Sequence, residues 1–568
     1  MPRFMGGLSL ASGRRRVLRP LQNLQFWLDP YDTSRISTLP AIGLDGTKHQ
    51  YLSRVNNTPG SPWCLQGNGT YTKFAFSCWM RVPSAPADST NFFGIGHAAD
   101  ANNATILMFF TNSGGQCGIQ PYIAYNGSGG YRGAGIAPFG HSNGSIYPGL
   151  GNWFHFLYGY DGALGGGASY CFINGVKTTF TNAGYAALLQ NVTGASNLVM
   201  LGNGPGGGST NACTIEMQDV AFYSHAASQA DANNLYAAGR GCTFSQLPAG
   251  MGDPFCYLKG DSLNDATANG YNFTFNGTGS RVTNQYVMAV TDKLDLTTVT
   301  PYDQNTLCAM RCRAPRYDAD CFGSGLPGFR FVNKPTGSGG WNNGAAAQWL
   351  YSKLYSLQRF PSGHFAARIR FDYLDDNSQE TQTLCFADDE TPGAYGYLNL
   401  FFLPPVVCPN APLGWTPGFR IHCASAAQDA LNTSQFNGAI ANLDDLYGFG
   451  HLPAGNSQLV QGTTYGVLLG NLHNGDPNYQ MRINGASQSL APNSISNGSL
   501  QDRWWASFTG VGGQPKITNI CIHGNARNIG GWNVQNGPES TSFGDIMVFG
   551  PALSDVDAHR VAAWLSRA

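Results

Sequence analysis

Few residues in this chain have a type and spacing suited to acid–base catalysis. Two carboxylates can act together when they lie on one face of a strand, flanking the bond to be broken. The sequence contains only four glutamates, Glu216, Glu380, Glu390 and Glu539. The nearest approach to a carboxylate motif is Glu216-x-x-Asp219. We interpret Glu216 as a strand-edge residue and Asp219 as the carboxylate that ties down a loop.

Two pairs of neighbouring aspartates are the remaining catalytic candidates. Asp375-Asp376 and Asp388-Asp389 lie in loop-like stretches, and we interpret them as solvated turns, although catalysis by paired aspartates stays open. No phosphate-binding loop or His-Glu-x-x-His motif occurs. The sequence therefore predicts a protein that is not an enzyme.

Histidine and cysteine are equally sparse as metal ligands. The eleven histidines are isolated, and Cys308-x-x-x-Cys312 with Cys321 is the only cysteine cluster, with no histidine near it in sequence. A zinc site at this cluster is the less favoured interpretation. Most other cysteines sit in apolar contexts that are typical of buried free thiols. Disulfides within residues 308–423 stay open, and the metal content of the chain is not determined.

The composition indicates many short strands and more than one domain. The chain has 568 residues, and 74 of them are Gly, while charged residues make up 11% and aromatic residues 12%. Such a chain forms helices poorly and turns readily, yet it has enough aromatic side chains to build cores. The net charge of −1 gives no field that would attract nucleic acid.

The N-terminal residues carry the one local excess of positive charge. Arg14, Arg15, Arg16 and Arg19 lie in residues 1–22, which we interpret as a solvated arm. The alternative is an assembly anchor that docks on an acidic surface of a larger particle. No apolar run is long enough for a membrane span. The first twenty residues also lack the apolar run of a secretory signal peptide.

One internal repeat organises the sequence. Residues 219–232 align without gaps on residues 545–558. In each copy an Asp opens a strand (Asp219, Asp545), and a Ser follows nine residues later (Ser228, Ser554). Each Ser begins a Ser-x-x-Asp capping box before an apolar helical stretch, so each copy predicts a strand followed by a short helix.

The repeat extends upstream of these strands. Asn174-Gly175 and Asn484-Gly485 each follow an alternating run, which is a strong signal for a β-hairpin. Leu201-Gly202-Asn203 corresponds to His523-Gly524-Asn525, and each triplet ends an apolar run. The two copies therefore share the order strand, hairpin, strand, final strand and helix.

This order resembles the concanavalin A-like lectin/glucanase superfamily, and within it the laminin-G-like domains. The early strands around residues 74–82 and 364–372 fit the same resemblance, which covers about two thirds of the chain. It implies an all-β fold of two tandem antiparallel jelly-roll sandwiches, each closed by a short C-terminal helix. Fold-level resemblance says little about function.

The resemblance also implies which sites to look for. Relatives that resemble laminarinases carry Glu-x-Asp-x-x-Glu on one strand, and this motif is absent here. Family members often hold Ca²⁺ at a sandwich rim, so calcium stays open as a ligand. The carboxylates that could contribute are those of Asp29, Asp32, Asp161 and Asp219.

The expected domain limits follow from the repeat. Residues 1–22 form the arm, residues 23–247 the first sandwich and residues 251–568 the second. The second sandwich is too long for a minimal copy, and we place its insertions at about residues 300–360 and 388–460. Long ordered insertions are usually functional or interfacial.

Exposed aromatic residues on loops would be the natural contacts for a sugar. Five tryptophans in polar or Gly/Asn-rich stretches are candidates, although a sandwich also buries tryptophan routinely. These glycan-binding candidates are Trp341, Trp349, Trp504, Trp505 and Trp532.

Three functions remain in view. The favoured hypothesis is a non-catalytic structural or adhesion protein of a virion or cell surface (fibre, decoration or minor capsid type), homo-oligomeric and without a membrane span. Its partners would be other subunits of the assembly and a cell-surface glycan. The first alternative is a glycan-binding lectin outside any particle, and the second is a glycoside hydrolase or lyase.

Overall fold

The structure is a computed structural model, and all statements below concern the residues that it describes. These are 23–55, 63, 73–83, 86–97, 104–113, 116–125, 128–132, 136–139, 153–167, 169–179, 197–204, 211–241, 252–301, 314–331, 350–357, 363–373, 381–387, 397–403, 418–424, 448–451, 462–471, 479–488, 491–492, 517–522, 540–550 and 552–567.

The first sandwich has a front sheet of antiparallel strands with a long central pair. Its strands are β2 (Ile36–Leu44), β4 (Lys73–Arg81), β10 (Trp153–Asp161), β11 (Ser169–Ile173), β12 (Val176–Thr179), β14 (Ile215–Tyr223) and β15 (Cys256–Leu258). They follow the order β12-β11-β10-β4-β14, and β2 and β15 pair with the first and second halves of β14.

The back sheet of the first sandwich faces the front sheet across the core. Its strands are β3 (Tyr51–Val55), β5 (Thr90–His97), β6 (Ala104–Ser113), β7 (Gln116–Tyr125), β8 (Ser128–Arg132), β9 (Ile136–Phe139), β13 (Asn197–Leu201) and β16 (Thr274–Asn276). Alternate residues of both sheets point into one large cluster that includes Phe76, Phe93, Phe156 and Phe222. Trp63 is fully buried in the same cluster and meets the Phe222 ring edge-on at 4.5 Å.

The second front sheet repeats the arrangement of the first. Its strands are β1 (Leu24–Leu28), β20 (Gly328–Phe331), β22 (Gly363–Tyr373), β27 (Thr464–Asn471), β28 (Tyr479–Ile483), β29 (Ala486–Gln488) and β32 (Ser540–Phe549). They follow the order β29-β28-β27-β22-β32, and β20 and β1 pair with the first and second halves of β32.

The second back sheet and three bridging strands complete the β structure. The back sheet contains β21 (Leu350–Leu357), β23 (Thr381–Ala387), β24 (Tyr397–Leu403), β25 (Gly418–Ala424), β26 (Gly448–His451), β30 (Ala491–Pro492) and β31 (Ile517–Ile522). The bridging strands are β17 (Val282–Thr291), β18 (Thr298–Val299) and β19 (Arg316–Asp318). The predicted all-β class is confirmed.

One short helix follows the last front strand of each sandwich. Helix α1 spans Gln229–Ala238, and helix α2 spans Asp555–Leu565. Helix α1 buries Ala232 and Leu235 against the outer face of its front sheet. Helix α2 buries Val561 and Leu565 in the same way. Neither described helix has the length and hydropathy that a membrane crossing requires.

The two front sheets are continuous. Strand β17 pairs antiparallel with β2 of the first sandwich over eight residue pairs, and it also pairs with β19, which leads to β20 and β32 of the second sandwich. A continuous ladder of backbone hydrogen bonds resists relative rotation, because bending it breaks several bonds together. The pairing therefore joins the sandwiches as one body.

Three short strands cross the expected domain limits. Strand β16, expected within the second sandwich, pairs with β3 of the first. Strand β1, expected to open the first sandwich, pairs with β32 of the second. Strand β15, expected to open the second, pairs with β14 of the first. The reason is physical: sheet membership depends on hydrogen-bond partners far away along the chain, and these partners leave no mark in the local sequence.

Candidate functional site

The aspartate that opens each repeat sits in a β-bulge. In the first sandwich the register of β14 against β4 shifts between Gln218 and Ala221, and Asp219 adopts a left-handed φ of 52° within the shift. A bulge turns one side chain away from the regular alternation. The Asp219 carboxylate accepts the hydroxyl of Tyr257 at 2.7 Å and the backbone N–H of Gly241 at 2.5 Å. It therefore ties β15 and the segment after α1 to β14.

The second bulge carries Asp545 in the equivalent position. The register of β32 against β22 shifts opposite Arg368, and Asp545 accepts the indole N–H of Trp27 at 3.2 Å. The Asp545 side chain is completely buried, and the guanidinium of Arg567 lies 3.6 Å away. Burial, followed by the nearby charge of Asp29, raises the pKa of Asp545. This carboxylate is a structural anchor for β1.

The repeated asparagines hold the two predicted hairpins. Asn174 and Asn484 both have a φ of 50°, and the glycines that follow have φ values of 81° and 82°, as a type I′ turn requires. The Asn174 side chain accepts the backbone N–H of His155 at 3.0 Å. The Asn484 side chain accepts that of Gly466 at 2.7 Å. Each asparagine thus fastens its turn to the neighbouring strand.

The repeated serines begin the two helices. Ser228 accepts the N–H of Asp231, whose carboxylate accepts the N–H of Ser228 in return, which is a complete capping box. Ser554 accepts the N–H of Asp557 and donates its hydroxyl to the Asp557 carboxylate at 2.9 Å. Both serines are therefore structural residues.

A buried polar joint lies between the sandwiches. Glu216 of β14 accepts hydrogen bonds from Arg81 at 3.1 Å and from Asn284 at 2.9 Å, and it also accepts the hydroxyl of Tyr286. Asn284 and Tyr286 belong to β17. Arg81 and Glu216 are both more than nine-tenths buried. The joint therefore places an ion pair of the first sandwich beneath the strand that leads into the second.

Stacked rings and guanidinium groups surround this joint. Arg240 is fully buried, and its guanidinium lies 4.3 Å from the ring centre of Trp153 and 4.6 Å from that of Tyr286. Trp79 stacks on Tyr236 of α1 at 5.9 Å. Arginine is more weakly hydrated than lysine and stacks well on aromatic faces, so it suits such a buried contact.

Glu216, which was expected at a strand edge, lies at the centre of the joint. The partners Arg81, Asn284, Tyr286 and Arg240 were not singled out. One signal was available, because Arg81 lies in the otherwise apolar strand 74–82, and a charge in such a strand calls for a buried partner. The identity of that partner depends on the pairing of β17 with β2.

The four aspartates named for calcium each contact protein groups. Among the residues that the structure describes, no three His, Cys, Asp or Glu side chains are grouped as metal ligands. The calcium hypothesis stays a prediction. The contacts are Asp29 with Lys293, Asp32 with Arg35, Asp161 with Lys73, and Asp219 with Tyr257.

The other predicted sites lie outside the described residues. This holds for the five glycan-binding candidates Trp341, Trp349, Trp504, Trp505 and Trp532, for the arm residues Arg14, Arg15, Arg16 and Arg19, and for the aspartate pairs Asp375-Asp376 and Asp388-Asp389. Cys308 and Cys312 are also outside, whereas Cys321 is a buried free thiol.

Replacing Asp219 by Asn tests the role of the bulge carboxylate. Asn tolerates the left-handed φ at this position, so the change isolates the hydrogen bonds. Because the Asn amide cannot accept from both Tyr257 and Gly241 as the carboxylate does, we expect the free energy of unfolding to fall by about 1–3 kcal/mol. Urea denaturation measures the change. An unchanged midpoint would show that the carboxylate is dispensable.

The comparisons with known proteins agree with this geometry. Residues 57–233 match the family profile described as concanavalin A-like lectin/glucanases superfamily, of the laminin-G type. The match covers most of the first sandwich, including β4, β10, the Asn174 hairpin and β14. No curated protein sequence matches the chain.

Several solved structures are similar at low identity. A heptameric pentraxin of Limulus polyphemus has a TM-score of 0.27 and 14% identity, over 44% of this chain and 94% of its own. Domains LG4-5 of the mouse laminin alpha1 chain have a TM-score of 0.25 and 9% identity, over 88% of each chain. A putative carbohydrate-binding protein of Bacteroides ovatus has a TM-score of 0.26 and 13% identity, over 44% and 62%.

The profile match and the fold lead to the same assignment. The repeated bulge, hairpin and closing helix form one architecture in both halves of the chain. Residues 57–233 therefore resemble a laminin-G-like domain of the concanavalin A-like lectin/glucanases superfamily.

Proposed function

We propose that this chain is a non-catalytic structural and attachment protein, displayed on a virion or cell surface, whose lectin-like sandwiches make assembly contacts or hold a glycan. The superfamily contains both lectins and glucanases, so the fold by itself leaves binding and hydrolysis open. The choice between them rests on how the two sandwiches are joined and on how the carboxylates are used.

The joint between the sandwiches is the observation that carries the proposal. Eight residue pairs of β2 and β17, together with the hydrogen bonds of Asn284 and Tyr286 to Glu216, fix one sandwich against the other. An enzyme that closes on its substrate between domains needs a hinge, and hinges absorb their motion in a few loop residues. A continuous sheet suits a spacer that transmits load and presents its loops at a fixed distance.

The buried carboxylates support a role without catalysis. Among the described residues, each buried Asp or Glu accepts a hydrogen bond or an ion pair from a protein group. The six are Asp29, Asp161, Glu216, Asp231, Asp292 and Asp545. A retaining or inverting hydrolase needs two carboxyl groups at a set separation with room for a substrate between them.

A glycan array on the full chain, with Ca²⁺ and with a chelator, tests the attachment role. We expect binding to at least one class of glycan, and loss of binding when Trp504 and Trp505 are replaced by Ala. The matched control is Trp63→Phe, which changes a buried tryptophan of the first core. An array without hits in either condition would remove the glycan part of the proposal.

Particle association tests the display role separately. We expect the chain to co-sediment with an assembly when it is purified from its source, through residues 1–22 or the long insertions of the second half. A lone monomer absent from every particle, but active on the array, would favour the alternative of a free glycan-binding lectin. Activity on a polysaccharide panel that one Asp substitution abolishes would overturn the non-catalytic assignment.

A further inference from the structure

The two sandwiches have exchanged their first strands. Strand β15 pairs with the second half of β14 in the register Val220↔Leu258 and Ala221↔Tyr257. Strand β1 pairs with the second half of β32 in the register Ile546↔Leu28 and Met547↔Trp27. Since Val220 corresponds to Ile546 in the repeat, Leu258 corresponds to Leu28 and Tyr257 corresponds to Trp27.

The equivalence extends to chemistry. Tyr257 donates its hydroxyl to the bulge carboxylate of Asp219, and Trp27 donates its indole N–H to the bulge carboxylate of Asp545. Each bulge therefore recognises an incoming strand by a ring that carries a hydrogen-bond donor, followed by a buried leucine. Strand β15, which comes later in the sequence, pairs beside the Asp219 bulge of the first sandwich. Strand β1, which comes earlier, pairs beside the Asp545 bulge of the second.

The hydrogen bonds described for β1 go to the second sandwich and to the turn beside it. Asn23 and Gln25 donate side-chain hydrogen bonds to the backbone carbonyls of Ala552 and Gly550, both at 3.1 Å. The backbone N–H of Lys293 donates to Trp27 at 2.8 Å. The hydrogen bonds described for residues 23–28 all go to residue 293 or to residues 545–552.

Burial gives this contact its strength. Phe26 and Leu28 are fully buried and Trp27 is nearly so. Removing apolar side chains of this size from water strongly favours the docked strand. The Lys293 ammonium lies 4.2 Å from the Trp27 ring centre and pairs with Asp29 at 2.5 Å, which closes the end of the strand. Residues 23–29 thus contain the side chains that make these contacts with β32, residues 550–552 and Lys293.

We propose that the site beside the second half of β32 is a strand-acceptor site that takes residues 23–29 of a second copy of this chain. The acceptor site consists of Asp545, residues 546–552 and Lys293. The connection from β1 to β2 is the seven-residue loop 29–35, which extended spans about 23 Å. This connection keeps β1 and β2 close along the chain, although β1 pairs with the second sandwich and β2 with the first. An exchanged strand buries the same groups as the strand of the same chain, so the swap costs little.

If the chain assembles as proposed above, strand exchange between copies would supply the contact between subunits. To this extent the inference rests on the proposed function. Chain order favours it, because β1 is complete early and its partner β32 lies more than five hundred residues later. A neighbouring copy at high local concentration therefore competes with slow closure within one chain. Heterologous contacts of this kind produce rings or filaments.

Isotope mixing of the full chain tests the exchange. Uniformly ¹⁵N-labelled and unlabelled chains are unfolded together, refolded at high concentration and treated with a carbodiimide, which joins a carboxylate to an amine in contact. Asp29 and Lys293 are suitable targets because their side-chain atoms are 2.5 Å apart. We expect Asp29–Lys293 cross-links between labelled and unlabelled peptides in the oligomer fraction.

The internal control is the pair Asp45 and Lys48, which lies within one turn of the first sandwich at 3.1 Å. Its cross-links must remain within one label. Trp27→Phe keeps the ring but removes the N–H that Asp545 accepts, so the variant is expected to give fewer Asp29–Lys293 cross-links of both kinds, which shows that these cross-links report the docked strand. Asp29–Lys293 cross-links that stay within one label in every fraction would overturn the proposal.

Failure of the strand exchange and failure of the proposed function give different results. Mixed cross-links in a chain that binds no glycan and joins no particle would leave the acceptor site standing and remove the function. Glycan binding or particle association without mixed cross-links would support the proposed function and rule out the strand exchange between copies.

Discussion

Replacing Glu216 by Gln is expected to lower the free energy of unfolding by about 3–5 kcal/mol, because it leaves the buried guanidinium of Arg81 without its counter-charge. The side chains of Arg81 and Glu216 are exposed by only 7% and 9%. Water therefore cannot replace the lost carboxylate. Gln keeps the shape of the side chain, so the change tests charge and not packing.

The loss of stability in Glu216→Gln is expected to appear first at the joint between the sandwiches. Asn284 and Tyr286 on β17 bind the same carboxylate, so amide hydrogen exchange should increase along β2 and β17 before it increases in the cores of either sandwich. Urea denaturation followed by fluorescence measures the stability, and hydrogen exchange with mass spectrometry locates the change. These two readouts separate a weakened joint from general unfolding.

The matched control is Asp295→Asn, which removes the partner of Arg35 from an exposed pair. More than half of the Asp295 side chain is in solvent. Solvent screens such a pair, so little or no change in stability is expected. If Glu216→Gln and Asp295→Asn had the same small effect, the buried joint would not hold the two sandwiches together.

Acid is expected to unfold this protein between about pH 6.5 and pH 3, chiefly through two buried histidines. Burial lowers the pKa of His155 to about 3. Burial, and secondarily the charge of Arg482, lowers the pKa of His364 to about 4. His155 contacts the Ser77 hydroxyl through Nε2 at 2.9 Å, and His364 Nδ1 accepts the backbone N–H of Leu553 at 3.0 Å.

The sign follows from proton binding. Both histidines stay neutral in the folded chain but titrate near pH 6.5 when unfolded, so the unfolded chain takes up protons first as the pH falls. Stability is therefore complete above about pH 6.5 and is lost down to the folded pKa values. The loss is on the order of 3 kcal/mol for His364 and 5 kcal/mol for His155. Asp292 and Asp545, whose pKa burial raises, act in the opposite direction and reduce the net effect.

Two substitutions assign the effect to these side chains. His364→Asn keeps an acceptor near Nδ1, and His155→Gln keeps a polar group near Nε2, while neither new side chain binds a proton in this range. We expect both variants to move the midpoint of acid unfolding to lower pH, as followed by circular dichroism. Unchanged midpoints in both variants would show that other groups drive acid unfolding.

The sequence by itself determined the features that depend on a few neighbouring residues. The two Asn-Gly turns, the Ser-x-x-Asp helix starts and the all-β class follow from local conformational preferences and from hydrogen bonds within three or four positions. The repeat between residues 219–232 and 545–558 also placed an aspartate at each bulge. Local preferences of this kind do not depend on long-range contacts, so they can be predicted from the sequence.

Only the tertiary structure decided how the repeated parts are fastened. The loop before each helix is held at the same repeat position, but the Tyr170 hydroxyl donates to the Ala227 carbonyl, whereas the His364 ring accepts the Leu553 N–H. These bonds have opposite polarity and come from different strands of the front sheet. No pattern in the sequence could reveal them.

The role of Glu216 was likewise decided by partners that lie far away along the chain. The sequence has four glutamates and no Glu-x-Asp-x-x-Glu motif, and Glu216-x-x-Asp219 comes nearest to that motif. In the structure, Arg81, Asn284 and Tyr286 all donate hydrogen bonds to the Glu216 carboxylate in the joint. The joint and the exchange of β1 for β15 arise because hydrogen-bond pairing and burial are properties of chain segments that meet only in the folded state.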